Sequence, residues 1–382
     1  MDQLSRARTT TAEDAPARGG PSGGVGVVAI LTGTMLSLFG MSWDIQWHED
    51  VGPDTFFTLP HLFIYAGSAV AGIASLVMVL RVTAATKAGR PVDPAAGGTA
   101  VGVFGKTFAA PVGYLVTGTA AAVFLFSGLW DQVWHSTYGF DATIASPPHV
   151  ALLVSVAFTM MGVVVTCAAA ARTTWGRRGF QLSLAMLAFY VVVPLKSLDV
   201  FEGGPVNAVQ VGVAFTTATA LVTSAYFLRD VREFVVVGLV CVALQATLWL
   251  FSPWASEVYA DSVGLPLRDI VSPSPDVPSA LPLTLLPIVV GLAVLVAASR
   301  SRGWSPTGVA PLGGAGVGLV VALTMPFQLA AVGQEPPQAL GTTLLTAVAG
   351  VAIGALGGFV GVRFATMLRT LESSAPLTAG GR

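Results

Sequence analysis

Ten stretches of this chain are nearly free of charge, and each is long enough to cross about 30 Å of hydrocarbon as a helix. They cover 25–44, 59–82, 109–132, 148–171, 179–198, 206–228, 234–252, 281–300, 309–332 and 342–366. A segment in hydrocarbon must satisfy its own backbone hydrogen bonds, and an apolar run of twenty residues does so as a helix. The expected fold is therefore all-α, a polytopic membrane protein of about ten transmembrane helices. Composition agrees: 54% of the 382 residues are hydrophobic and 10% charged, where a soluble domain carries roughly a quarter. The lipid bilayer is the first partner this implies. A net charge of −1 gives no reason to expect nucleic acid. Cys167 and Cys241 stand alone in apolar runs and read as small packing residues, with no disulfide framework.

Basic residues set the expected orientation. With the N-terminus inside, all but Lys196 and Arg268 of the 19 lysines and arginines fall in cytoplasmic segments. The positive-inside rule then puts both termini in the cytoplasm of a multi-pass cell-membrane protein. Residues 1–24, rich in Gly, Ala, Pro, Thr and Arg, read as a disordered cytoplasmic tail, and 367–382 as a second tail.

One repeat divides the membrane part. Trp43-Asp44-Ile45-Gln46-Trp47-His48 returns 87 residues later as Trp130-Asp131-Gln132-Val133-Trp134-His135. Gly52 and Asp54 return as Gly139 and Asp141, and Pro60-His61 as Pro148-His149 with one residue added. Each copy closes one helix, crosses an external loop and opens the next. Helices 1–2 and 3–4 thus form a parallel repeat. Residues 25–171 are expected to make a four-helix metal-binding core and 172–366 a six-helix extension.

All four histidines lie in this repeat. Asp44 and His48, like Asp131 and His135, are i and i+4 on one helical face. Thr58 is a candidate N-cap for the helix that His61 opens, and Ser146 precedes the Pro147-Pro148-His149 start of the other. Each copy therefore offers two imidazoles and one carboxylate, a 2-His-1-carboxylate set with open positions. The carboxylate compensates a divalent cation held near hydrocarbon, and the carbonyl end of helix 1 or 3 adds partial negative charge. Six ligands are expected, Asp44, His48 and His61 at one site and Asp131, His135 and His149 at the other, near the extracytoplasmic face.

Neighbouring residues have plainer readings. Trp43, Trp47, Trp130 and Trp134 read as an interfacial aromatic belt. Asp54 and Asp141 read either as orienting groups behind the imidazoles or as loop-turn residues. Lys196 and Asp199 suit an i, i+3 ion pair, and Met41, Met160 and Met161 suit the core.

The spacings Asp44-x3-His48-x12-His61 and Asp131-x3-His135-x13-His149 resemble the two metal-ligand triads of the C subunit of particulate methane and ammonia monooxygenases. In that family one triad reads Asp-x3-His-x12-His and a later one Asn-x3-His-x13-His. Asp131 departs from the family's Asn. The resemblance covers roughly residues 25–171. It implies a copper-dependent membrane monooxygenase or oxidase, with iron or zinc as alternative metals at the two sites. Its substrate would be small or lipophilic, its oxidant dioxygen, and its electron donor unknown. A homo- or hetero-oligomer is compatible with it.

Other classes stay open on the residues alone. A zinc-dependent membrane hydrolase needs three ligands and a water. A haem electron-transfer protein would need paired axial ligands and no aspartate at i−4. A non-enzymatic membrane metal-binding protein would need only the ligands.

Overall fold

The computed structural model describes residues 23–52, 54–139, 146–269 and 274–373. It is an all-α polytopic membrane protein. Its helices are α1 (Gly23–Asp50), α2 (Leu59–Lys87), α3 (Val112–Tyr138), α4 (Pro147–Ala169), α5 (Thr174–Leu195) and α6 (Ala208–Phe227). They continue with α7 (Val231–Val263), the single turn α8 (Asp276–Ser279), α9 (Leu285–Ser301), α10 (Pro306–Ala331) and α11 (Leu340–Ser373). Among the described residues nine are long and apolar enough to cross a membrane, and α9, at 17 residues, is a shorter apolar helix. Each of the ten expected runs lies on one of these helices.

The boundaries differ where special residues intervene. Residues 109–111, expected to open the third span, belong instead to a small antiparallel hairpin, β1 (Ala100–Val103) with β2 (Phe108–Pro111). Positive φ angles at Phe104, Gly105 and Lys106 make its turn. The seventh span does not stop at Pro253. A proline costs a membrane helix less where neighbouring helices support the interruption, and α7 runs on to Gly264, whose φ of +69° ends it. The tail expected at 1–24 lies outside the described residues apart from Gly23 and Gly24, which open α1. The tail expected from 367 is helical as far as Ser373.

Helices α1 to α4 form a closed ring in which each packs on the next and α4 returns to α1. Small residues make the contacts close. Ser37 Oγ donates to the Ile64 carbonyl at 2.9 Å, and a Cβ at Gly33 would stand 2.6 Å from the Gly67 carbonyl oxygen. Helix α5 packs on α4 and α1, and α7 packs on α1 and α5. A second cluster joins α6, α10 and α11. Its tightest crossing is Gly318 on Gly350, where a Cβ at 318 would meet the Gly350 oxygen at 2.0 Å. In lipid such close backbone approach supplies the packing attraction that a hydrophobic effect cannot.

The alternation of directions sorts the polar residues into two ends. The C-terminus of α1 and the N-terminus of α2 share one end with those of α3 and α4. At the opposite end Arg300 donates to the Ala225 carbonyl at 2.9 Å and Arg369 to the Tyr226 carbonyl, closing the last turn of α6. Arg178 pairs with Glu233 there at 3.0 Å.

The two copies of the repeat have unequal surroundings. Trp43 and Trp47 are buried, at 5% and 2% exposed, against Tyr259 of α7 at 5.7 and 4.8 Å between ring centroids. Ser42 Oγ meets Ser252 Oγ of α7 at 2.8 Å. In the second copy Trp130 is 44% exposed and Trp134 half-buried. The belt reading thus fails for Trp43 and Trp47, because α7 covers the face that α3 leaves open. Lys196 also differs from expectation: its direct ion pair is with Asp276 of α8, while Asp199 feels its charge without that contact. Met41 and Met160 are buried in the core, as are the free thiols Cys167 and Cys241.

Candidate metal centres

The first centre is built at the junction of α1 and α2. Asp44 and His48 occupy the last two turns of α1, which ends at Asp50. Gly52, at φ +118°, reverses the chain in a conformation that favours glycine. Thr58 precedes α2, but its hydroxyl caps nothing in the helix and instead accepts from the Thr55 amide at 2.7 Å. That bond closes the turn before α2 and leaves the Thr55 carbonyl facing His61, whose Nδ1 donates to it at 3.0 Å. Pro60 opens α2 where its missing N–H costs no bond.

With Nδ1 of His61 committed to a carbonyl, Nε2 is the nitrogen that turns inward. It stands 3.1 Å from Asp44 Oδ1 and 3.1 Å from Asp54 Oδ2. His48 Nε2 lies 3.4 Å from the same Asp54 oxygen. One donor atom from each of Asp44, His48, Asp54 and His61 falls within 4.8 Å of every other.

The second centre repeats the plan at the junction of α3 and α4. Asp131 Oδ2 is 3.3 Å from His135 Nε2 and 3.8 Å from His149 Nε2. His135 Nδ1 donates to the Gly139 carbonyl at 3.3 Å. Ser146 caps α4 by accepting from the His149 amide, and its hydroxyl is 2.8 Å from His149 Nδ1. Donor atoms of Asp131, His135 and His149 also lie within 4.8 Å of one another. All six residues expected from the sequence are thus brought together, three and three. Asp141, expected beside the second site, lies outside the described residues.

The donor sets fit a cation. In His61 and His135 the Nδ1 hydrogen bond to a carbonyl leaves Nε2 to face a carboxylate oxygen, as an N–H donor when the ring is charged and as a lone pair when it is neutral. At 3.1–3.3 Å the neutral ring needs a positive ion between lone pair and carboxylate, and the same geometry therefore suits a proton or a metal ion. Asp131 Oδ1 is buried and makes no hydrogen bond among the described residues, a costly state for a carboxylate oxygen unless something else satisfies it. Imidazoles fixed through Nδ1 by carbonyl or hydroxyl partners are the usual arrangement around a metal. Carboxylate and imidazole without thiolate suit borderline first-row ions.

The two centres are neighbours across the α2–α3 contact. Tyr65, one turn beyond His61, has its ring 5.9 Å from the His61 ring and 6.3 Å from that of Phe124. Its Cε1 is 3.9 Å from where a Cβ on Gly128 would stand, three residues before Asp131.

The residue whose position differs from the sequence reading is Asp54. It was expected behind the imidazoles or in a turn, and it instead faces the nitrogens that Asp44 faces. Its recurrence at a fixed offset in both copies was the available signal. Comparison with protein-family models, with curated proteins and with solved structures returns no match for this chain.

Proposed function

We propose that this membrane protein holds two transition-metal ions at one end of its bundle and uses them to oxidise a small or lipophilic substrate with dioxygen. Asp44, His48 and His61 hold one ion, and Asp131, His135 and His149 the other. The observation that carries the reading is the convergence of imidazole Nε2 atoms and carboxylate oxygens at both junctions. The likeness of both spacings to the C subunit of the particulate methane and ammonia monooxygenases supports copper as the metal and oxidation as the reaction.

Bound copper would supply one-electron chemistry at positions open to dioxygen. The chain's own residues do the rest. The carboxylates compensate the ion's charge, and the Thr55 and Gly139 carbonyls fix the rings of His61 and His135 so that Nε2 points inward. On α3, Phe126, Leu129, Trp130 and Val133 expose an apolar face that runs up to Asp131 and His135, a route by which a lipophilic substrate reaches the second centre from the bilayer. Inserting one oxygen atom and reducing the other to water takes two electrons, so an external donor belongs to the reading. The distribution of basic residues supports cytoplasmic termini and centres on the extracytoplasmic side.

The test is to purify the full chain in detergent, measure its metals and follow dioxygen uptake after reduction. Copper in both centres with reoxidation by dioxygen is the expected result. Zinc alone, with no redox activity, would replace this reading by the hydrolase. A haem Soret band would replace it by the electron carrier.

A further inference from the structure

We propose that Asp54 is a direct ligand of the first centre, which then offers a divalent first-row ion two carboxylates and two imidazoles. The proposal rests on the metal reading above and deepens it. A group that merely orients a ligating histidine binds the ring nitrogen remote from the metal. In His61 that nitrogen is Nδ1, and the Thr55 carbonyl already occupies it. Asp54 lies on the other side of the ring, with Oδ2 3.1 Å from His61 Nε2 and 3.4 Å from His48 Nε2. It shares the Nε2 side of His61 with Asp44.

Burial separates this carboxylate from an ordinary loop aspartate. The Asp54 side chain is 5% exposed, less than Asp44 at 17%. Oδ2 is buried, and its close partners are the Nε2 atoms of His48 and His61. The loop holds it there. Gly52 adopts a φ of +118° two residues before Asp54, and the Thr55 amide is tied to Thr58 Oγ1 one residue after it.

Charge gives the set its meaning. Two carboxylates cancel the charge of a divalent ion, which lowers the cost of holding that ion beside hydrocarbon. Four protein donors also approach the closed four-coordinate arrangement of tightly held ions, where three leave a position open. The described donors of the second centre are one carboxylate and two imidazoles.

Cobalt(II) reports this directly, because its d–d spectrum follows the ligands and a bound thiolate adds a charge-transfer band. The protein is the full chain carrying His135→Ala, which leaves the first centre as the one to fill. Asp54→Asn is expected to bind cobalt at least ~10-fold more weakly and with an altered d–d spectrum. Asp54→Cys is expected to show a thiolate-to-cobalt band that the parent lacks. The parent is the control for the buried Cys167 and Cys241. Cobalt uptake by Asp54→Cys without that band, together with an unchanged d–d spectrum in Asp54→Asn, would overturn the proposal and leave the metal reading standing. No uptake by the His135→Ala parent would overturn both.

Discussion

The carboxylate of Asp44, in the last two turns of α1, stands 3.1 Å from Nε2 of His61 in the first turn of α2. Seventeen positions separate the two in the chain, and a reversal at Gly52 brings them together. The same relation holds between Asp131 and His149 at 3.8 Å, across the loop that joins α3 to α4.

Asp131 distinguishes the two roles a side chain could have there. A carboxylate binds a divalent ion more strongly than an amide and favours the higher oxidation state. Asp131→Asn keeps the shape, so the expected outcome is a folded protein with weaker divalent-ion affinity at the second centre and a raised reduction potential. Asp131→Ala removes the oxygen and is expected to lose more metal. Metal analysis with redox titration of both variants checks this, and unchanged occupancy and potential in both would remove Asp131 from the ligand set.

Lys196 is expected to couple energetically to Asp276 and not to Asp199. The two are 80 positions apart and directly paired, with side chains 30% and 11% exposed. A double-mutant cycle on unfolding in detergent should return a coupling of about 0.5–3 kcal/mol for Lys196 with Asp276. For Lys196 with Asp199 it should return under ~0.5 kcal/mol. The reverse order would restore the local i, i+3 pair.

Gly318 tests the packing. A Cβ there would meet the Gly350 oxygen, whereas one at Gly316 would meet nothing within 4 Å. Gly318→Ala is expected to destabilise the protein by about 1–3 kcal/mol, read as a lower unfolding temperature. Gly316→Ala should leave it nearly unchanged. Equal effects would mean that close approach of α10 and α11 contributes little.

The orientation can be read chemically. In a chain without its native cysteines, Phe57→Cys, at an exposed position beside the first centre, should label with an impermeant reagent from outside intact cells. Lys106→Cys, in the hairpin turn, should label only after permeabilisation. The opposite pattern would invert the bundle.

Much of the fold was legible because hydrocarbon demands long apolar helices, and ten such runs are plain in the sequence. The ends were not, since they turn on single residues such as Pro253, inside α7, and the turn at Phe104–Lys106 that makes a hairpin. The two clusters of one aspartate and two histidines were legible because i, i+4 spacing and short loops fix which side chains meet. The place of Asp54 was not, because it lies in a loop held by the Thr55–Thr58 bond, which spacing does not encode. The burial of Trp43 and Trp47 depends on α7, about 200 residues further along the chain, and no local pattern announces a distant helix.

The central claim is that two separate centres each bind one ion, and metal per chain tests it most directly. The parent should carry two equivalents, His48→Ala one, His135→Ala one, and the double variant none, because loss of one of few ligands abolishes a site. Retention of both equivalents in the double variant would contradict the account. So would loss of both from either single variant in a protein that remains folded, since that outcome describes one shared cluster.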